Sequence, residues 1–289
     1  MCFFCALLWL MINGFKIDSV QTNPEETLLG LSAEGYSVAS NLSSKIQGRV
    51  YSLTTTPQLE NDIFINVKED AYIPTKVAPA VLDNLPAPQG GTVLDVGCGS
   101  GILGIGLCKK GADKLVGIDP NPSALLLSKK NAQANGIKNA EFLSLEKFLL
   151  DQKEFLGKVD YIIANIPQTP GKFNSGEKGN RHILDWIRKG KDLLSQEGSL
   201  FLLLFSYSAP SESLEAMKEG YRVEKVKEFF FPVPGSLDRA RAKNMSAENL
   251  CTLYSINGAG PSVVNPADYE NDESLHSRAM LYKLQLKQS

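Results

Sequence analysis

The chain has 289 residues, 43% hydrophobic, 21% charged and 8% aromatic, which excludes wholesale disorder, collagen-like repeats and a disulfide scaffold. A formal charge of −2 excludes a binder whose grip on nucleic acid rests on a strongly basic surface. Five cysteines are present, only Cys2 and Cys5 stand at Cys-x-x-Cys spacing, and the histidines are just His182 and His276. No metal site is expected from that set, and the thiols read as reduced, in a cytoplasmic protein.

Every residue from Met1 to Ile12 is apolar. A bilayer-crossing helix needs about 20 such residues, and neither a basic leader nor a small-residue cleavage site is visible. The run is read as an extension packed on the body, or as sequence upstream of a start at Met11. A membrane anchor is the lesser reading, and no stable membrane insertion is expected. Residues 22–46 read as short helical pieces broken at Gly30 and Gly35. Arg49–Leu53 and Asp62–Val67 alternate apolar with polar, which predicts a hairpin. Pro74 and Thr75 open a stretch with Val77, Ala78, Val81, Leu82 and Leu85 at helical spacing, closed by Pro86 and Pro88.

From Gly91 the pattern becomes a regular alternation. Strands are predicted at Thr92–Val96, Lys114–Ile118, Ala140–Leu145, Val159–Ala164, Ser199–Ser206, Tyr221–Phe229 and Leu281–Leu286. Helices are predicted at Ile102–Lys110, Ser123–Asn135, Ile183–Leu194 and Glu212–Glu219. Near-continuous apolar strands alternating with helices call for an α/β, doubly wound, mostly parallel sheet. Residues 91–289 form that domain, with 1–90 as a helical and hairpin piece covering it like a lid. The polar stretch between Phe231 and Ala279 reads as one long excursion before the final strand.

The strongest chemical signal is VLDVGCGSG, Val93 to Gly101. A strand ends in Asp95, and Gly97, Gly99 and Gly101 lead into a helix, a turn that lets the backbone approach a ligand closely. The next strand ends in Asp119, placed to accept hydrogen bonds from ribose hydroxyls. Gly99, Gly101 and Gly104 also satisfy GxGxxG, which admits a nicotinamide-dependent dehydrogenase. Asp95 argues against it, because an acid beside the turn repels a pyrophosphate and suits a ligand bearing an ammonium group.

This motif resembles motif I of the class I S-adenosylmethionine-dependent methyltransferases, whose ribose-binding acid Asp119 matches. VDYIIANIPQTP, Val159 to Pro170, resembles the (Asn/Asp)-Pro-Pro-(Tyr/Phe) motif of amino methyltransferases. AYIPTKVAP, Ala71 to Pro79, resembles the Ile-Pro-Arg-Pro-Glu-Thr stretch of the glutamine methyltransferases acting on peptide release factors. Ser175 to Gly179 resembles their Gly-Gly-Glu-x-Gly loop. The resemblance implies a seven-stranded sheet and S-adenosylmethionine as cofactor. It implies Asp95 at the methionine end, Gly97, Gly99 and Gly101 framing the pocket, Thr75 as a further contact, Asp119 on the ribose and Glu146 on the adenine side. Asn165, Pro167 and Gln168 are implied at the methyl acceptor. Two residues depart from the family pattern: Ile166 replaces its first proline and Gln168 its aromatic.

Methyl transfer is an in-line displacement, so placing the nucleophile's lone pair matters most. Hydrogen bonds from an amide or amine to the Asn165 side-chain oxygen and the Pro167 carbonyl would hold the nitrogen and stabilise the charge developing on it. Against this, Asn165 also reads as a strand-end residue capping a loop, and Gln168 reads equally as a substrate contact or a structural residue. Lys172, Lys178, Arg181, Arg188, Lys189 and Lys191 would favour an acidic substrate if they rim the site. For Arg188, Lys189 and Lys191 a solvated helix face is the better reading, and Arg181 and His182 sit closer to the motif. The Arg239, Arg241 and Lys243 cluster is too short to imply nucleic acid. Cys98 and Cys108 read as small buried fillers, and the run Phe229–Phe231 as a strand end entering the core. The acceptor is thus expected to be a small molecule or a protein side chain. Methylation of an RNA or DNA base, O-methylation of a small metabolite and a non-catalytic donor-binding module remain open.

Overall fold

The computed structural model describes residues 17–23, 26–31, 53–54, 63–65, 77–168, 181–206, 210–232, 253–257, 260–264 and 275–287. The chain divides into two compact units, Met1–Glu154 and Phe155–Ser289. Met1 to Ile12 and Thr75 lie outside the described residues, as does most of the expected lid. Among the described residues no helix is long and apolar enough to cross a membrane.

In the first unit, β1 (Ile17–Asn23) pairs antiparallel with β2 (Glu26–Leu31), in a register running from Val20↔Leu29 to Asn23↔Glu26. The helical reading of residues 22–31 is therefore corrected. Leu28, Leu29 and Leu31 make a short apolar run whose period does not tell helix from strand until a partner strand is known. The predicted hairpin is present in shorter form, β3 (Leu53–Thr54) against β4 (Ile63–Phe64). Helix α1 (Val77–Asp83) follows, buried through Ala78, Val81 and Leu82. Its carboxyl end is held by the Lys110 ammonium, which donates to the carbonyls of Leu82 (2.6 Å) and Leu85 (3.0 Å).

Strand β5 (Thr92–Val96), helix α2 (Ile102–Lys109), strand β6 (Lys114–Asp119), helix α3 (Pro122–Ala134) and strand β7 (Ala140–Ser144) follow the predicted alternation. β5 pairs parallel with β6, Asp95 opposite Gly117, and β6 pairs parallel with β7. Helix α2 lies close on its neighbours because it has glycines where they touch. A Cβ on Gly104 would stand 2.4 Å from Leu115 Cδ1, and one on Gly106 2.5 Å from the Leu82 methyls. Helix α3 starts on Asn121, whose side chain accepts from Ser123 N–H at 3.0 Å, with Pro122 pre-set for the first turn. Helix α4 (Leu145–Asp151) was not predicted; it is capped by Ser144, whose hydroxyl accepts from Lys147 N–H at 3.1 Å.

The second unit holds β8 (Val159–Ala164), α5 (Arg181–Leu193), β9 (Leu194–Phe205), α6 (Pro210–Gly220) and β10 (Tyr221–Pro232). It continues through β11 (Leu253–Asn257), β12 (Gly260–Val264) and β13 (Leu275–Leu286). β8 and β9 are parallel, with Ala164 opposite Leu202. β13 runs antiparallel between β9 and β10, with Ala279 opposite both Phe205 and Phe229. The first unit holds β5, β6 and β7 and the second β8, β9, β10 and β13, the seven strands expected of a mostly parallel α/β fold. The excursion is not one loop, however. β13 begins at Leu275, and β11 pairs with its first residues where β9 has already ended, forming a hairpin with β12. β11 (LYSIN) and β12 (GPSVV) are short apolar islands in the polar stretch, β11 pairing with β13 and β12 with β11.

Leu200 to Leu204 of β9 are all buried, the continuous apolar run of a strand covered on both faces. Tyr221 is buried beneath α5 and donates its hydroxyl to the Ile187 carbonyl at 2.7 Å. A Cβ on Gly190 would stand 2.8 Å from that hydroxyl oxygen. Tyr221→Phe is therefore expected to cost about 1 kcal/mol in urea unfolding. Gly190→Ala should cost more in the native background than in Tyr221→Phe, because the obstructing oxygen is then absent.

Candidate functional site

The glycine turn of the first unit grows out of β5. Gly97, Gly99 and Gly101 take positive φ of 67°, 54° and 83°, a conformation that side chains with a Cβ rarely adopt. The turn is tied to β6, since Gly97 N–H and Cys98 N–H both donate to the Ile118 carbonyl, at 2.8 and 3.0 Å. Gly99 N–H donates to Asp119 Oδ2 at 3.0 Å, while Asp119 Oδ1 accepts from Asn121 N–H at 2.8 Å. An ionised carboxylate has about four acceptor positions, so both Asp119 oxygens can still receive a hydroxyl. Asp95 Oδ2 accepts from Gly104 N–H at 2.9 Å, in the first turn of α2. Asp95, the three glycines and Asp119 thus form one bonded cluster.

Two residues of this cluster escaped the sequence reading. Ser128 and Asn131, three apart on α3 and hence on one face, are fully buried and reach the turn from behind. Ser128 Oγ lies 2.7 Å from the Gly99 carbonyl and 2.9 Å from that of Ala124. Asn131 Nδ2 donates to the Ser100 carbonyl at 2.8 Å. The only signal for them was a polar residue on the apolar face of a helix. The Ser100 hydroxyl itself is buried without a hydrogen-bond partner. Cys98 is a buried filler as expected, whereas Cys108 is half-buried.

Asp95 is 2% exposed, and burial pushes its pKa up to about 7. The Gly104 N–H pulls the other way, and the neighbouring Asp119 raises it further. A cation beside the carboxyl group would favour its ionised form.

Glu146 is exposed in the first turn of α4 and is not bonded into the cluster by any described contact. In the second unit, Asn165 to Gln168 follow the carboxyl end of β8. Asn165 is half-buried, Ile166 buried, Pro167 exposed and Gln168 half-buried. Of the two readings of Gln168, the structural one has a described contact. Gln168 Nε2 donates to the Leu203 carbonyl at 2.7 Å, and its Oε1 accepts from Phe205 N–H at 2.9 Å. Phe205 packs at 6.2 Å, centroid to centroid, on Phe231, which stacks on Phe229 at 5.4 Å. These rings are half-exposed, so the phenylalanine run does not simply enter the core. Arg181 and His182 open α5 and are exposed, and Arg188 meets Asp185 at 3.9 Å on the helix surface. Lys172, Lys178, residues 175–179 and the Arg239 cluster lie outside the described residues. Among the described residues no group of His, Cys, Asp and Glu could hold a metal ion.

Residues 74–170 match the family described as ribosomal protein L11 methyltransferase (PrmA). A Methanocaldococcus jannaschii protein named as a protein N5-glutamine methyltransferase is 32% identical over 175 residues, 56% of this chain and 86% of that one. The ribosomal protein L11 methyltransferase of Vibrio vulnificus is 49% identical over 82 residues, a stretch that spans only 26% of its length and 28% of this chain. Among solved structures, ribosomal protein L11 methylase from Lactobacillus delbrueckii subsp. bulgaricus has a TM-score of 0.44 and 17% identity, over 73% of this chain and 78% of that one.

The Asp95 environment carries a stability consequence. The carboxyl group holds its proton up to about pH 7 when folded, but loses it near the ordinary aspartate value of 3.8 when unfolded. Its contribution is therefore full below pH 4 and is lost as pH rises to about 7. Asp95→Asn can keep the bond to Gly104 N–H and has no charge to bury. Relative to wild type, it should gain roughly 2–3 kcal/mol more in urea unfolding at pH 8 than at pH 5.

Proposed function

The chain belongs to the methyltransferase family of the Methanocaldococcus jannaschii protein, as an S-adenosylmethionine-dependent enzyme acting on an amide or amine nitrogen, and we propose that its acceptor is the side-chain amide of a protein glutamine. The observation that carries the donor half is the buried Asp95 beside a glycine turn. Its carboxyl group, with a pKa of about 7, has a second carboxylate, Asp119, as neighbour, so the site favours a cationic guest. The residues present fit S-adenosylmethionine. The glycine backbone offers a surface without Cβ atoms, Asp119 keeps acceptor capacity for ribose hydroxyls, and the Ser100 hydroxyl lacks a partner.

In this reading Asp95 holds the ammonium end, Gly97, Gly99 and Gly101 frame the pocket, Asp119 takes the ribose, and Glu146 and Thr75 are outer contacts. The bound cofactor supplies a methyl group activated by a sulfonium centre. Asn165 and Pro167 do the work on the acceptor. Their oxygens accept the N–H bonds of the amide, orient its nitrogen lone pair and stabilise the positive charge that grows on it. No strong base is required, since the methylated nitrogen becomes acidic enough to release its proton to water. The name given to the Methanocaldococcus jannaschii relative supports a glutamine acceptor.

Two experiments test this. Calorimetry with S-adenosylhomocysteine should show one saturable site whose affinity rises as pH goes from 6 to 8, because its ammonium group requires Asp95 ionised. Asp119→Ala should weaken that binding at least tenfold, and the absence of binding to the intact chain would end the donor assignment. With glutamine-bearing peptides as acceptors, Asn165→Ala should lower kcat by a factor of 100 or more while leaving S-adenosylhomocysteine affinity within about twofold. Full turnover by that variant would refute the acceptor role.

A further inference from the structure

The pairing of β8 with β9 sets out a ladder that stops early. Ala164 stands opposite Leu202, so a continued β8 would place Ile166 opposite Leu204. In a parallel ladder, the residue opposite Leu204 donates to the carbonyl before it and accepts from the N–H after it. Those two atoms, the Leu203 carbonyl and Phe205 N–H, are instead engaged by the side-chain amide of Gln168, at 2.7 and 2.9 Å. A glutamine amide carries the same donor and acceptor as a peptide unit. It can therefore fill one rung of a sheet without the main chain being there.

We propose that Gln168 is a positioning residue for methyl transfer: its amide takes the β9 rung vacated by Ile166, and so holds Asn165 to Pro167 out of the sheet as a fixed acceptor loop. This rests on the acceptor reading above. The main chain of residues 165–167 is thereby released from the ladder, and the Pro167 carbonyl is left for a substrate N–H. An aromatic at position 168 has no amide and could not do this. The aromatic of the family pattern has been exchanged for a polar lock, which uses the N–H of Phe205.

The test compares full-length wild type with Gln168→Met, of similar length but without the amide, and with Gln168→Glu, which keeps only the acceptor for Phe205 N–H. Amide hydrogen exchange is read with S-adenosylhomocysteine present, and methyl transfer is measured to glutamine-bearing peptides. Gln168→Met should speed exchange at Phe205 N–H at least tenfold. It should lower kcat at least tenfold, with peptide KM and S-adenosylhomocysteine affinity within about twofold, and Gln168→Glu should fall between. In an Asn165→Ala background Gln168→Met should change kcat little, because it acts through the placement of Asn165. Unchanged exchange at Phe205 overturns the proposal. So does undiminished kcat in Gln168→Met when Asn165→Ala is impaired. Full turnover by Asn165→Ala removes the acceptor reading instead, and the exchange at Phe205 then decides the lock by itself.

Discussion

The hydrogen bond from Gly104 N–H to the buried Asp95 carboxyl is the contact on which the donor half of the molecule depends. Burying a carboxyl group is costly, and a single backbone donor offsets only part of that cost. The remainder appears as a group that keeps its proton to about pH 7. The same bond dictates the residue that makes it. A Cβ on Gly104 would lie 3.0 Å from Asp95 Oδ2 as well as against Leu115, so helix α2 can approach β5 and β6 only with glycine there. This accounts for the third glycine of the GxGxxG spacing by helix-on-strand packing, a need shared by dinucleotide-binding folds. The spacing therefore does not separate the two ligand classes, and the proposed donor site rests on the acid at position 95 instead.

Around that bond the turn is satisfied on both sides. Its first two N–H groups are spent on Ile118, its third on Asp119, and its carbonyls at Gly99 and Ser100 are engaged from α3 by Ser128 and Asn131. A loop so fully bonded has little left to order when a ligand arrives, and binding then loses less to conformational entropy. Spare capacity remains in the second lone pairs of Asp119 and in the buried Ser100 hydroxyl.

The parallel strands and their helices were legible in the sequence because strands covered on both faces are written as apolar runs, as at Val93–Val96 and Leu200–Leu204. The positions of Asp95 and Asp119 beside the glycine turn were legible from the strand pattern, and each accepts from a glycine N–H. Elements defined by a partner were not. β1 and β2 become strands by pairing with each other, and β11 by pairing with the start of β13, where β9 has run out. Helix α4 escaped because Leu145 reads as the last residue of a strand when it is the first of a helix capped by Ser144. Ser128, Asn131 and Gln168 escaped for a related reason. Each acts by meeting particular backbone atoms, and which atoms lie opposite is a matter of register.

The departures at Ile166 and Gln168 belong to one rearrangement. A proline pair stiffens a loop by fixing φ twice, and here only Pro167 remains. Ile166 is 7% exposed, so its side chain is anchored in the apolar interior, while Gln168 is anchored to β9 by its amide. Anchors therefore alternate with presenters: Asn165 and Pro167, the two residues with acceptors to offer, are each followed by one that is tied down. Burial and hydrogen bonding at alternate positions restrain this four-residue loop without a second ring. A sequence that looks like an eroded motif is, in these terms, a loop stiffened by other means.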